Sequence, residues 1–265
     1  MSSYFKDKVA IVTGSSSGIG EAIAISLAVK GARVSLCGRD PDRLKTVLDR
    51  AVEVSGGHKE RFITVRGDLN EEDCRRDIVG KTIEAFGQLD ILIANAGVSV
   101  PGSTIRDATP EIYDKTMDTN VKAVFFLIQD ALPHLEKTKG NILCVSSVLN
   151  SLVLVPDIIY PVSKAAVKHM CNCLAVQLGP KGIRVNTVNP AHIPTRIGRD
   201  YEHTQAAVDW INKEKKSVAL PHYEGSAEDV ADAVVFLVSD NAVGITGQHL
   251  NVDGGRSFFG ASNME

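Results

Sequence analysis

Short apolar runs rich in β-branched residues recur along this 265-residue chain, and longer stretches with helical spacing of apolar positions lie between them. No other feature restricts the fold so strongly. Runs that are apolar throughout, without alternation, suit strands covered on both faces, and strands separated by helices suit βαβ units in a parallel sheet. Strands are predicted at Lys8–Val12, Arg33–Cys37, Phe62–Val65, Ile91–Ala94, Asn141–Val145, Arg184–Asn189 and His249–Val252, with helices near 19–30, 42–55, 71–86, 111–137, 161–179 and 227–238. Asp40-Pro41-Asp42 offers a helix cap, a proline for the first helical position and an acid for the first turn. Gly87 and Gly140 fall where helices should stop. No linker, repeat or low-complexity segment interrupts the alternation. The expectation is an α/β chain of one domain over 1–265, its doubly wound sheet carrying helices on both faces.

One stretch departs from this rhythm. From about Pro194 to Tyr223 the chain is polar, carries Trp210 and a dense Lys cluster, and sits between the sixth strand and the last long helix. An insertion at the carboxyl end of a parallel strand is where an α/β enzyme places a substrate lid; a solvated surface helix fits the same composition. The formal net charge is −3 with Lys and Arg scattered, which argues against nucleic acid as a partner, since that needs a concentrated basic patch. No run approaches the ~20 apolar residues needed to cross a bilayer, so no membrane partner is expected. The five cysteines, at 37, 74, 144, 171 and 173, show no CxxC pair, and they read as reduced packing residues with no metal site. Met1–Lys8 lacks the apolar segment of a secretory signal, and Ser262–Glu265 matches no retention or peroxisomal address. A cytoplasmic location is expected.

Two local patterns carry chemistry. After the first strand, Thr13-Gly14-Ser15-Ser16-Ser17-Gly18-Ile19-Gly20 leads directly into an apolar-periodic helix. Small residues let a backbone approach a pyrophosphate closely, and a helix N-terminus presents free N–H groups and a positive dipole end. Gly14, Ser16, Ser17, Gly18, Ile19 and Gly20 are therefore candidate cofactor contacts, in a Gly-x-x-x-Gly-x-Gly spacing distinct from Gly-x-Gly-x-x-Gly. Farther on, Tyr160 and Lys164 are four residues apart and share one helix face. A phenol beside an ammonium suits acid/base work: lowering its pKa by ~3 units takes about 4 kcal/mol in favour of the anion. Ser146 and Ser147 end the fifth strand, where consecutive residues point to opposite faces, so at most one of them faces a substrate.

With Asp68-Leu69, Asn95-Ala96-Gly97, Asn120 and Asn189-Pro190…Thr195, these motifs recur in order from Lys8 to Gly255, and by them the chain resembles the short-chain dehydrogenases/reductases. The resemblance implies a Rossmann-type sheet of seven or so parallel strands and hydride exchange between a nicotinamide dinucleotide and a carbonyl or secondary alcohol. It selects Ser147, thirteen residues before Tyr160, to hold the substrate oxygen. It sets Asn120 at a helix irregularity, anchoring a water that links Lys164 to solvent. Asp68 would approach the adenine edge beside Leu69, a helix cap being a compatible role for Asp68, and Asn95, Ala96 and Gly97 would support the ribose. In Pro190-Ala191-His192-Ile193-Pro194-Thr195 the backbone at Ile193 and the Thr195 hydroxyl would orient the carboxamide, with Ala191 where the family has glycine. His192 is then either a group that polarises substrate or a surface bystander.

The tip of the second strand bears on which dinucleotide is bound. An acid there would bind the ribose hydroxyls and repel a 2′-phosphate; this chain has Gly38 in that position and Arg39 next. A guanidinium fork suits a phosphate, so NADP(H) is expected, with NAD(H) the alternative. Val148–Val155, together with Ile158 and Ile159, is apolar and lies between Ser147 and Tyr160. It reads as a pocket wall, Leu149 included, for an apolar ketone or aldehyde, or as a surface packed against the lid or a second subunit. The resemblance implies a homotetramer. Competing classes are a lyase or isomerase on the same scaffold and a non-catalytic dinucleotide binder.

Overall fold

The computed structural model describes residues 4–100, 104–153, 157–198, 217–220 and 223–259, with 209 and 212. Most of the expected lid, including Trp210, and residues 154–156 of the apolar segment lie outside them. Seven strands form one parallel sheet: β1 Val9–Thr13, β2 Arg33–Gly38, β3 Phe62–Arg66, β4 Ile91–Ala94, β5 Asn141–Val145, β6 Arg184–Pro190 and β7 His249–Val252. Their order is β3-β2-β1-β4-β5-β6-β7. After β3 the chain crosses back to pair β4 with β1 in register, Ala10 opposite Ile91. That reversal splays the connections apart and leaves a crevice at the carboxyl ends of β1 and β4, where doubly wound sheets bind ligands.

Among the described residues the helices with defined bounds are α1 Gly18–Val29, α2 Pro41–Val54, α3 Glu72–Phe86, α4 Pro110–Met117, α5 Ala123–Thr138, α6 Ile159–Leu178, α7 Ala227–Val238 and the short α8 Arg256–Phe259. Strand side chains alternate between the sheet's two faces. Ala10, Val12, Val34, Leu36 and Ile93 pack with α1, α2 and α7. Ile11, Cys37, Leu92, Ala94 and Cys144 pack with α3, α5 and α6. Both faces are dry, which is why these strands read as unbroken apolar runs. The five cysteines are free thiols, and burial pushes that of Cys37 up.

Several helix ends follow the local chemistry. Asp40 Oδ1 accepts from the N–H groups of Asp42 and Arg43, both at 3.1 Å, ahead of Pro41. Gly87 ends α3 in the left-handed region. At the end of α5, however, Lys139 takes the left-handed conformation (φ 52°), one residue before Gly140. Gly140 serves a different need: a Cβ there would lie 2.5 Å from the Asp90 carbonyl oxygen. The helix predicted over 111–137 carries the irregularity that the family resemblance implies at Asn120. It is two helices joined through a π turn at Asp118–Lys122, and one extra residue in such a turn re-aims the side chains that follow.

Candidate active site

Loops leaving the carboxyl ends of β1, β4, β5 and β6 converge on the crevice. Thr13, buried at the end of β1, binds β4's exit: its hydroxyl donates to the Ile93 carbonyl and accepts from the N–H groups of Asn95 (3.0 Å) and Ala96 (3.1 Å). The Asn95 amide returns to the Thr13 carbonyl at 2.8 Å. This cross-link fixes the glycine turn. A Cβ on Gly20 would sit 2.5 Å from Asn95 Nδ2 and closer still to the Gly14 carbonyl, and one on Gly18 would lie 2.9 Å from Thr195 Cγ2. The phosphate-type turn and the Pro190–Thr195 loop therefore touch through the bare face of Gly18. Ser17 precedes α1 without capping it, so its hydroxyl is not spent on the helix. Ser16 lies against Gly38, where a Cβ would be 3.1 Å from Ser16 Oγ; Ile19 packs on the core. A cradle of bare backbone at a helix N-terminus fits a dinucleotide pyrophosphate.

At the tip of β2, Arg39 meets an acid. Its Nη1 is 3.8 Å from Asp68 Oδ2, with both side chains substantially exposed. A surface pair of this kind is worth ~0–1 kcal/mol, little enough to be exchanged for a phosphate. Asp68 Oδ1 accepts from Asn70 N at 3.0 Å. Asp68 is thus a turn former and not the cap of α3, a place held by Glu71 without a side-chain bond. Leu69 packs against the core, and its carbonyl accepts from the buried Arg75 Nη1 at 2.7 Å. Asn70 reaches Thr119 Oγ1 at 3.1 Å, tying the β3 loop to the π turn.

That turn swings Asn120 inward. Its Oδ1 accepts from Val98 N (2.8 Å), and its Nδ2 donates to the Val98 carbonyl (2.9 Å) and to Ser163 Oγ (3.0 Å). Gly97 is bare beside it: a Cβ would lie 3.2 Å from Asn120 Oδ1 and 3.4 Å from Lys164 Nζ. Lys164, 4 % exposed, donates to the Val145 carbonyl at 3.0 Å and stands 5.5 Å from the centre of the Tyr160 ring. Burial lowers its pKa to about 8, with a smaller opposing effect of Cys144. Tyr160 lies in the first turn of α6, its N–H donating to Asp157 Oδ1 at 3.2 Å.

The two serines divide their work. Ser146 Oγ donates to the Lys164 carbonyl (3.0 Å) and accepts from Asn150 Nδ2, so it is committed to structure. Ser147 Oγ accepts from Leu149 N at 3.2 Å, which leaves its proton to donate elsewhere. Leu149 is half-buried on the short turn Val148–Asn150. Pro190 ends β6 opposite Val252, and the Ile193 side chain is buried in the core. His192 is half-buried. The sequence reading missed Thr13, Ser163 and Tyr223. Ser163 had a signal, lying directly before Lys164 on the helix that carries Tyr160. Burial, then the Asp229 and Asp253 carboxylates, pushes the Tyr223 phenol up, so it is no rival acid/base. Among the described residues no group of His, Cys, Asp or Glu could hold a metal ion, and no helix is long and apolar enough to cross a membrane.

Comparison with known proteins places this geometry in context. A family model described as Enoyl-(Acyl carrier protein) reductase matches residues 14–257. Glucose 1-dehydrogenase of Gluconobacter oxydans is 34% identical over 97% of this chain and 94% of its own. A short-chain dehydrogenase/reductase of unknown function from Caenorhabditis elegans, solved with cofactor, superposes with TM-score 0.89 at 33% identity, covering 96% of each chain. A short chain dehydrogenase from Burkholderia cenocepacia in complex with NADP gives TM-score 0.85 at 34% identity, over 96% of this chain and 99% of its own.

Proposed function

The chain belongs to the short-chain dehydrogenases/reductases, and from that membership we propose that it is an NADP(H)-dependent carbonyl reductase in which Tyr160 is the general acid/base. The carrying observation is the buried Lys164 ammonium, held by the Val145 carbonyl and set against the Tyr160 ring. A cation in a dry site stabilises a neighbouring phenolate far more than it would in water. The bound dinucleotide supplies the hydride. Ser147 donates a hydrogen bond to the substrate oxygen, and Tyr160 gives that oxygen its proton. Lys164 holds the phenolate that results, while Asn120 and Ser163 form the polar lining through which a proton returns. Gly14–Gly20 take the pyrophosphate, Asp68 and Leu69 the adenine side, Asn95–Gly97 the ribose, and Ile193 and Thr195 the carboxamide. Leu149 and His192 border the substrate.

Gly38 and Arg39 support NADP(H). The Arg39 fork is exposed and needs to leave only a weak surface partner to meet a 2′-phosphate. A screen of NADPH and NADH oxidation over ketones, aldehydes and quinones is expected to give the higher kcat/KM with NADPH and apolar carbonyls. Arg39→Asp should cut the NADPH preference about 10- to 100-fold, the worth of one charge-assisted hydrogen bond. A higher kcat/KM with NADH that Arg39→Asp leaves unchanged would refute the assignment.

The same reading extends to assembly and place: a homotetramer in the cytoplasm. Exposed apolar side chains on the helices that relatives use for assembly, Phe125 and Phe126 on α5 and Val162 and Val176 on α6, support self-association.

A further inference from the structure

The turn after β7 touches both ends of the segment that leaves and re-enters the site. On the outgoing side, Ala191 N donates to the Val252 carbonyl at 3.2 Å. On the returning side, the N–H groups of Ala219 and Leu220 both donate to the Gly254 carbonyl, at 2.8 and 3.0 Å. The turn is stiff. Asp253, 6 % exposed, accepts from Gly255 N at one oxygen and from the Ser257 N–H and hydroxyl at the other. Asn189, one residue before the Pro190–Thr195 loop, joins this anchor through Asn251 and Ser257.

Tyr223 lies across that turn. Its ring fills the space where Gly254 lacks a side chain, and Gly254 sits in the left-handed region at φ 58°. Gly225, at φ 61°, is bare between the same ring and the coenzyme-side loop: a Cβ there would be 2.9 Å from Ile193 Cδ1 and 3.5 Å from Tyr223 Cε1. Gly254 thus admits the ring against the turn, and Gly225 lies between that ring and Ile193, the residue whose backbone faces the nicotinamide in the function proposed above. We propose that Tyr223 is a positioning residue for the nicotinamide half of the coenzyme, acting through Gly225 and Ile193 and braced by the Asp253–Gly255 turn. It does not touch the reacting atoms. The ring makes these contacts, so the hydroxyl is dispensable. The adenosine half, held by Gly14–Gly20 and Arg39, is outside its reach.

This inference rests on the coenzyme reading, and the test separates the two. Calorimetry compares NADPH with 2′-phospho-ADP-ribose, which lacks the nicotinamide, on wild type, Tyr223→Ala and Tyr223→Phe; NADH and ADP-ribose replace them if NADH binds tighter. Tyr223→Ala is expected to weaken the full dinucleotide about 10-fold, since a small misplacement of a binding loop is costly. It should leave the truncated ligand unchanged, and Tyr223→Phe should match wild type. Equal losses for both ligands, no loss, or a Tyr223→Phe variant as weak as Tyr223→Ala would overturn the inference. Failure of wild type to bind either dinucleotide would instead overturn the coenzyme reading. If Tyr223→Ala does not fold, Tyr223→Leu, which removes the ring and keeps part of its bulk, must give the same selective loss.

Discussion

Tyr160→Phe is expected to lower kcat about a thousandfold while NADPH binds as tightly as to wild type. The variant keeps the ring, its place at the start of α6 and its distance from Lys164 Nζ, and loses only the proton that goes to the substrate oxygen. General acid catalysis by a positioned side chain contributes roughly 10²- to 10⁴-fold, so the loss falls in kcat and not in coenzyme affinity. Neither Ser147 nor Lys164 can stand in: the hydroxyl is far too weak an acid, and the ammonium is tied to the Val145 carbonyl. Stopped-flow single turnovers with an aromatic ketone, beside a fluorescence titration of NADPH, would measure both quantities. Turnover within tenfold of wild type would remove Tyr160 from its role.

Lys164→Met is expected to make the protein more stable and nearly inactive. Lys164 is 4 % exposed, and burial brings its pKa to about 8 from an ordinary 10.5. As pH rises, the folded state therefore gives up this proton before the unfolded state does, and this residue's share of stability increases between about pH 8 and 10.5. Below about pH 8 the penalty for a buried charge applies in full. At 1.36 kcal/mol per pKa unit it is about 3 kcal/mol, less about 1 kcal/mol for the bond to Val145 that methionine cannot make. Denaturant unfolding at pH 7 should show a gain of about 2 kcal/mol in the variant. Between pH 8 and 10 the wild type should close much of that gap. In the proposed mechanism catalysis depends on the charge that stability disfavours, a trade-off common at active sites. In the wild type, kcat/KM for reduction should fall as pH rises through about 8, where the ammonium is lost. A less stable Lys164→Met protein would show that the buried charge is not the cost inferred here.

Much of this was legible in the chain itself. All seven strands lie within a residue of their expected bounds; β1, β4 and β5 are buried throughout, so their apolar runs are local signals, while the partly exposed β3 and β7 were read from their place in the alternation of strands and helices. That Tyr160 and Lys164 share a helix face followed from their spacing, and their pairing as acid/base candidates from the neighbouring family motifs. Choosing Ser147 over Ser146 needed the family resemblance, and the fold supplies an independent reason: Ser146 Oγ is spent on the Lys164 carbonyl. The irregularity at Asn120 came from the family resemblance and not from the apolar spacing; it is a π turn at Asp118–Lys122, where one inserted residue turns the following side chains by about 100°. Its consequence, Asn120 turned onto Val98 and Ser163, is set by a partner 22 residues away and another 43 away.

The amino-acid sequence by itself determined the element order, the two dry faces of the sheet, the glycine turn and the residue types of the site, because each depends on neighbours within a few positions. Tertiary structure alone decided that Thr13 locks β4's exit, that Arg39 faces Asp68, and that the Tyr223 ring packs on Gly254. Those contacts join segments tens of residues apart, and no local periodicity encodes which of two distant surfaces will meet.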